Sequence, residues 1–344
     1  MSRATPAPAL VIQTAFLGDV VLTTPLLAAL AARHGPVDVV TTPGAAPLLE
    51  THAAVRRVIP FDKKGADRGL GGLWRLARRL RAERYGIAYL PHRSLRSAAL
   101  ARLAGVPRRV GFHDGWPALY TGVRRHPDTG HAIDRLLALA DALPKHQTPP
   151  SLELTLSDRA AAERWLREAG ITTAFVALAP GSIWGSKRWP YYPALAVRLA
   201  AQMPVVVVGG PEDAVLGEAI VEMVAAARAP HRAVNACGAL GLRPAAAMIG
   251  RAAALVTNDS APLHLAQAVD APTVALFGPT IPEFGFGPRG PRDRAMGVTG
   301  LPCRPCSRHG PPSCPLGHHR CMTLLDVEDV LHAIEETGAL RRRD

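Results

Sequence analysis

The chain has 344 residues, 48% of them hydrophobic and 20% charged, a globular composition that excludes a disordered chain and fits two ordinary domains better than one. Five cysteines are too few for a disulfide scaffold, and a reducing cytoplasm is the expected compartment. The net charge of +12 is lopsided: residues 1–150 hold 21 Lys and Arg against 10 Asp and Glu, a net of +11, while residues 151–344 carry only +1. The first half therefore calls for an anionic partner, whether membrane phosphates, an acidic glycan or nucleic acid.

No run approaches the ~18 apolar residues that span a bilayer. The apolar run Ala9–Leu17 is interrupted by Gly18 and Asp19 without a small-residue cleavage site, so it reads as a buried strand and not as a signal peptide. In chain order the pattern predicts strand Leu10–Thr14, helix Val20–Arg33, strands Val37–Thr41 and Val55–Phe61, helix Leu73–Arg84, strand Ile87–Leu90 and helix Leu95–Ala104. A polar, proline-rich stretch, Leu143–Ser151, is the best linker candidate. The alternation then restarts with helix Ser157–Ala169, strand Phe175–Ala179, helix Tyr192–Ala201, strand Pro204–Val208, helix Asp213–Ala227, strand Ala254–Thr257, helix Pro262–Ala268 and strand Thr273–Phe277. Residues 278–322 look irregular, and Leu325–Glu336 is a last helix. Repeated βα units predict two doubly wound α/β domains, residues 1–148 and 149–324, followed by a helix and basic tail at 325–344. In such sheets ligands bind beyond the carboxyl ends of the strands, which puts the expected site in a cleft between the two domains.

Four strand-to-helix turns carry chemistry. Gly18-Asp19-Val20 places an acid near the opening of the first helix, as a helix cap or as a functional carboxylate. Pro180-Gly181-Ser182, leading to Lys187-Arg188-Trp189-Pro190, lets backbone N–H groups approach an anion and adds two cations, although it lacks Walker spacing. Gly209-Gly210-Pro211-Glu212-Asp213 follows a buried strand; the glycines let a nucleotide lie against the backbone, and a carboxylate beyond them can accept from ribose hydroxyls. Thr257-Asn258-Asp259-Ser260-Ala261-Pro262-Leu263-His264 opens another helix, whose first N–H groups suit a pyrophosphate with His264 about one turn in. Cys303, Cys306, Cys314 and Cys321, four cysteines within 19 residues, offer zinc ligands, with disulfides or loop packing as the alternatives. Arg75, Arg78, Arg79, Arg81 and Arg84 lie on one helix, while Arg93 and Arg96 follow a strand; the helix's apolar stripe is expected to pack on the sheet and not on a membrane.

Taken in order, these segments, together with Arg84-Tyr85-Gly86, Ser94-Leu95-Arg96-Ser97 and Arg108-Arg109-Val110-Gly111-Phe112, resemble the bacterial lipopolysaccharide heptosyltransferases, family 9 of the glycosyltransferases. The loop ending Gly317-His318-His319-Arg320-Cys321-Met322 looks most like the heptosyltransferase II branch. The resemblance implies a GT-B fold, two Rossmann-like domains facing a cleft. It implies an inverting transfer of L-glycero-D-manno-heptose from ADP-heptose, held by the second domain, to the Kdo–heptose inner core of lipid A, held by the first. Asp19 would be the general base, and Lys187 would neutralise the departing β-phosphate with Ser182 and the N–H groups near Ser260 and Ala261. Gly209, Gly210 and either Glu212 or Asp213 would face the nucleoside, Asp259 would hold heptose hydroxyls, and His264 would lie near the phosphates. Arg93 and Arg96 would meet the acceptor's acidic groups. The family usually has glycine where Ala261 stands, which would crowd the phosphate loop. No cofactor is implied for the reaction, with zinc at the cysteines a separate expectation. The enzyme would sit peripherally on the cytoplasmic face of the inner membrane.

Other readings stay open from the residues. A GT-B transferase with another donor or acceptor would share these turns. A basic nucleic-acid-binding protein would share the charge, but no nucleic-acid motif is present. A nicotinamide oxidoreductase would share the sheets, but no Gly-x-Gly-x-x-Gly follows the first strand.

Overall fold

The computed structural model describes residues 7–142 and 148–340. It divides into two compact units, Met1–Glu153 and Leu154–Asp344. Residues 143–147 of the expected linker lie outside the described residues, as do 341–344 of the basic tail. The stretch just after 147 belongs to the first unit for a local reason: the Ser151 N–H donates to Thr24 Oγ1 (3.0 Å) and the Ala53 N–H to Glu153 Oε1 (2.8 Å).

The first unit is a six-stranded sheet of β1 (Ala9–Ile12), β2 (Val37–Thr41), β3 (Val55–Pro60), β4 (Ile87–Leu90), β5 (Arg108–Phe112) and β6 (Gly122–Arg124), in the order β3-β2-β1-β4-β5-β6 and parallel throughout. Alternate residues of β1 serve opposite faces. Leu10 and Ile12 pack with helices α3 (Gly69–Ala82) and α4 (Leu95–Leu103), while Ala9 and Val11 pack with α2 (Thr24–His34) and α5 (Ala132–Leu137). The single helix expected over Val20–Arg33 is two, α1 (Leu17–Leu22) and α2, because Thr23 ends the first and Pro25 sits in the opening turn of the second.

The second unit repeats the plan. Its strands are β7 (Val176–Ala179), β8 (Val205–Val207), β9 (Ala233–Asn235), β10 (Ala254–Asn258), β11 (Thr273–Leu276) and β12 (Arg294–Met296), again all parallel, in the order β12-β11-β10-β7-β8-β9. Its helices are α6 (Leu156–Glu168), α7 (Tyr192–Ala200), α8 (Ala214–Ala226), α9 (Leu242–Ile249), α10 (Ala261–Ala268), α11 (Arg320–Thr323) and α12 (Val327–Glu336). Val176 and Leu178 of β7 bury one face of the sheet against α7, α8 and α12. Both sheets thus change direction of growth between their first and fourth strands, β1/β4 and β7/β10. At such switch points the loops leaving the two strands diverge and open a crevice. The turns bearing Asp19, Lys187 and Asp259 all leave these four strands.

Candidate active site

In the second unit the crevice is organised by a side chain that sequence reasoning passed over. Asn258 ends β10, fully buried. Its Nδ2 donates to Pro180 O (2.9 Å) and Gly181 O (3.3 Å), while its Oδ1 accepts from Trp189 N–H (3.2 Å) and Tyr192 O–H (3.3 Å). One amide therefore ties the loop after β7 to the start of α7. Between these anchors a single 3-10 turn, Gly185–Lys187, delivers Lys187 to the end of β10. Lys187 and Asp259 are only 7% and 9% exposed. Lys187 Nζ donates to Asp259 Oδ2 at 2.6 Å and to Asp259 O at 3.1 Å, and Thr280 Oγ1 donates to Asp259 Oδ2 at 2.7 Å. Burying both charges is tolerable only because each neutralises the other and hydrogen bonds complete the pair. An ammonium has three N–H donors, so this geometry commits two and leaves one to act on a ligand.

The flanking turns fit around this pair. Ser182 Oγ accepts from Trp184 N–H (3.3 Å), and Arg188 folds back to donate to Ser182 O (2.8 and 3.0 Å) instead of joining Lys187. Beyond β8 the two acids separate. Asp213 turns inward, its Oδ2 accepting from Gly210 N–H (3.1 Å), and its carboxyl lies against Gly181 and Gly209, where any side chain would collide with it. Burial pushes the Asp213 carboxyl above the ordinary range, opposed by the Gly210 hydrogen bond. Glu212 stays exposed. Ser260 takes the N-cap position of α10 with extended backbone and makes no side-chain cap hydrogen bond. Ala261 is an ordinary helical residue and not among those with positive φ, so the missing glycine costs the turn no backbone strain. His264 is buried one turn in, its Nδ1 3.1 Å from Gln267 Oε1.

In the first unit Asp19 occupies the first turn of α1, half-buried, with Oδ2 accepting from Phe16 N–H (3.2 Å). The reach back to the residue before the helix fixes the carboxylate's direction. Around the same switch point stands Lys63, a second residue that sequence reasoning missed. Its Nζ donates to Thr14 O (2.5 Å), Arg96 Nη1 donates to Lys63 O (3.2 Å), and Thr14 Oγ1 lies 3.3 Å from Ser97 Oγ. Burial, then the neighbouring Arg96 and Lys64, hold the Lys63 ammonium below its ordinary pKa; such crowded cations favour an anion beside them. The signal was available, since Lys63-Lys64 follows β3 at the carboxyl edge. Arg93 goes elsewhere, pairing with Asp114 at 2.8 Å. His92, just beyond β4, has an Nδ1 that is buried without a hydrogen-bond partner among the described residues. Burial lowers its pKa, Asp19 opposes the drop, and Lys63 and Arg93 add to it.

The turns around Lys187 and α10 on one sheet can receive an anion, and the oriented Asp19 carboxylate beside a cationic cluster on the other can accept a proton. The sequence profile of glycosyltransferase family 9 (heptosyltransferase) matches residues 73–314, well over half of the chain. The chain belongs to glycosyltransferase family 9. It is 29% identical over 310 residues to lipopolysaccharide heptosyltransferase 2 of Salmonella typhimurium, covering 80% of this chain and 84% of that protein. Among solved structures, the family 9 glycosyl transferase of Veillonella parvula matches with a TM-score of 0.83 at 25% identity, covering 97% of this chain and 98% of that one. The Escherichia coli ADP-heptose LPS heptosyltransferase II matches with a TM-score of 0.78 at 26% identity, covering 96% and 98%. The two doubly wound units expected from sequence accord with these GT-B relatives.

The cysteine segment of this glycosyltransferase packs through local contacts. Among the described residues, no three His, Cys, Asp or Glu side chains are grouped to hold a metal ion. Each cysteine answers to a different neighbour, and all are free thiols. Cys321 is buried in the core under β7, the Cys306 thiol donates to Cys303 O (3.3 Å), and Cys314 Sγ accepts from His319 N–H (3.4 Å). Cys303 Sγ lies 4.0 Å from His318 Nε2. The segment also backs the lysine turn. His319 Nε2 donates to Ser186 O (2.6 Å), Ser186 Oγ donates to Pro311 O, and Gly310 lies against Lys187. Arg304 anchors the segment by donating to the carbonyls of Phe277, Gly278, Thr280 and Val298.

Proposed function

We propose that this enzyme transfers L-glycero-D-manno-heptose from ADP-heptose to the Kdo–heptose inner core of lipopolysaccharide, with inversion at the anomeric carbon. The observation that carries the reading is the buried Lys187–Asp259–Thr280 cluster at the switch point of the second sheet, in a chain of family 9.

As the glycosidic bond to ADP breaks, negative charge grows on the β-phosphate. The third N–H of Lys187 meets that charge, and the opening turn of α10 with His264 receives the rest of the pyrophosphate. Charge neutralisation is thereby supplied by the chain's own cations. Asp259 Oδ2 is occupied by Lys187 and Thr280, so its other oxygen is the one to hold a heptose hydroxyl. Of the two acids after β8, Glu212 is the nucleoside contact, because Asp213 is folded into its own loop. Gly209 and Gly210 let the nucleoside approach the backbone.

In the first unit Asp19 takes the proton of the acceptor hydroxyl as that oxygen attacks. Lys63 and Arg96 meet the carboxylates and phosphates of the inner core, and Arg93 holds its loop through Asp114. The acceptor is lipid-anchored, so the enzyme works at the cytoplasmic face of the inner membrane as a peripheral protein; among the described residues no helix is long and apolar enough to cross a bilayer. The test is a transfer assay with ADP-heptose and defined inner-core acceptors beside other sugar nucleotides, with product anomericity read by NMR. Turnover confined to another donor, or retention of configuration, would overturn the reading.

A further inference from the structure

Helix α3 buries Leu73, Leu76, Ala77 and Leu80 against the first sheet, which accounts for its apolar stripe. Its outer face is not an ordinary solvated surface. Leu70 is 84% exposed and Trp74 54% exposed. With 100° per residue, Leu70, Trp74, Arg78 and Arg81 fall within about a quarter turn of one another. Residues 69–82 contain no acidic side chain. Arg75 is tied to Ala66 O (2.8 Å) and Asp67 (3.7 Å), but Arg78, Arg79 and Arg81 are exposed and have no ion-pair partner among the described residues. Arg81 lies beside Gly105, just beyond α4, whose last turn exposes Arg102 and Leu103. Helix packing explains neither a half-exposed tryptophan nor an exposed leucine amid unpaired arginines. Arginines in the last turn suit the helix dipole, but Leu70 and Trp74 gain nothing from it.

We propose that the outer face of α3 is the surface by which this enzyme docks on an anionic lipid bilayer. Leu70 and Trp74 enter the boundary between headgroups and acyl chains, where a tryptophan's amphipathic ring is stable. Arg78 and Arg81 lie against lipid phosphates, which attract basic side chains near the surface. The +11 charge of residues 1–150 draws the same half toward the membrane. The inference extends the reading of a lipid-anchored acceptor, and vesicle binding tests it without any transfer.

The experiment is co-sedimentation of the full chain with phosphatidylglycerol-containing vesicles, neutral phosphatidylcholine vesicles and duplex DNA, for wild type, R78Q/R81Q and L70S/W74S. Wild type should bind anionic vesicles and bind the other two far less. Removing two arginines should weaken vesicle binding about twenty-fold or more, and L70S/W74S should weaken it while keeping the wild-type melting temperature. Both variants should keep the wild-type rate on a water-soluble, deacylated acceptor and lose rate on one embedded in anionic vesicles. Variants that bind vesicles like wild type, or a wild type that sediments equally with neutral vesicles or DNA, would overturn the proposal. A protein that docks through α3 but does not transfer heptose would overturn only the functional reading.

Discussion

Lys187 Nζ and Asp259 Oδ2 lie 2.6 Å apart, across 72 residues of sequence, and both side chains are almost wholly buried. The pair exists because β7 and β10 are neighbours in register, with Ala179 opposite Thr257. The loops that leave them therefore start side by side. Asn258 locks that arrangement, and Thr280 adds a donor so that neither charge is left bare.

Replacing Lys187 by Ala should lower the transfer rate about 10²- to 10³-fold, the usual effect of deleting a preorganised charge partner of the transition state. It should also cost about 3 kcal/mol of stability, because Asp259 is left buried and unpaired. Adding Asp259→Asn should recover much of the melting temperature without recovering rate. A double variant that regains activity along with stability would mean that Lys187 acts only on the fold.

Asp19→Asn keeps an oxygen to accept from Phe16 N–H but cannot take a proton. Transfer should fall about 10²- to 10⁴-fold with ADP affinity, read by calorimetry, unchanged. Near-normal turnover by a folded variant would remove Asp19 from the chemistry.

Glu212 and Asp213 should separate cleanly. Glu212→Gln is expected to raise KM for the donor several-fold and leave the melting temperature in place, since the side chain is exposed. Asp213→Asn should show its main effect on stability, because its carboxyl packs against Gly181 and Gly209. The reverse assignment would show as a stability loss at Glu212 with donor KM moved only at Asp213.

Asp38 on β2 offers a pH test away from the site. Burial alone would push its carboxyl up, but hydrogen bonds from Arg56 (2.8 Å), Tyr85 (2.5 Å) and Arg57 (2.9 Å) outweigh burial and hold it below the usual range. A carboxyl whose folded pKa is depressed stabilises fully above its unfolded value, about 3.9, and loses that stabilisation as pH falls through the lower folded value. Asp38→Asn should therefore cost about 2 kcal/mol at neutral pH. Melting temperatures of wild type and variant should then converge as the pH drops below about 4. A constant gap down to pH 2 would contradict the linkage.

Much of this enzyme is written in local pattern. Buried strands such as Ile87–Leu90 and helical stripes such as Leu73–Leu80 announce themselves, because burial on a pleat or helix imposes its own period on the apolar residues. The turns at Asp19, Ser182 and Asp259 follow directly, since each stands where a strand gives way to a helix. The edge strands β6, β9 and β12 were not legible. Each has three residues, too few to show a period, and is a strand only because a neighbour in the sheet offers it hydrogen bonds. Sequence also could not say that Arg93 turns to Asp114, that Lys63 joins Thr14, that Asp213 folds inward while Glu212 does not, or that four nearby cysteines fail to gather. Those outcomes depend on which carbonyls, amides and charges the packed sheets bring within a few ångströms, and only tertiary structure decides that distance.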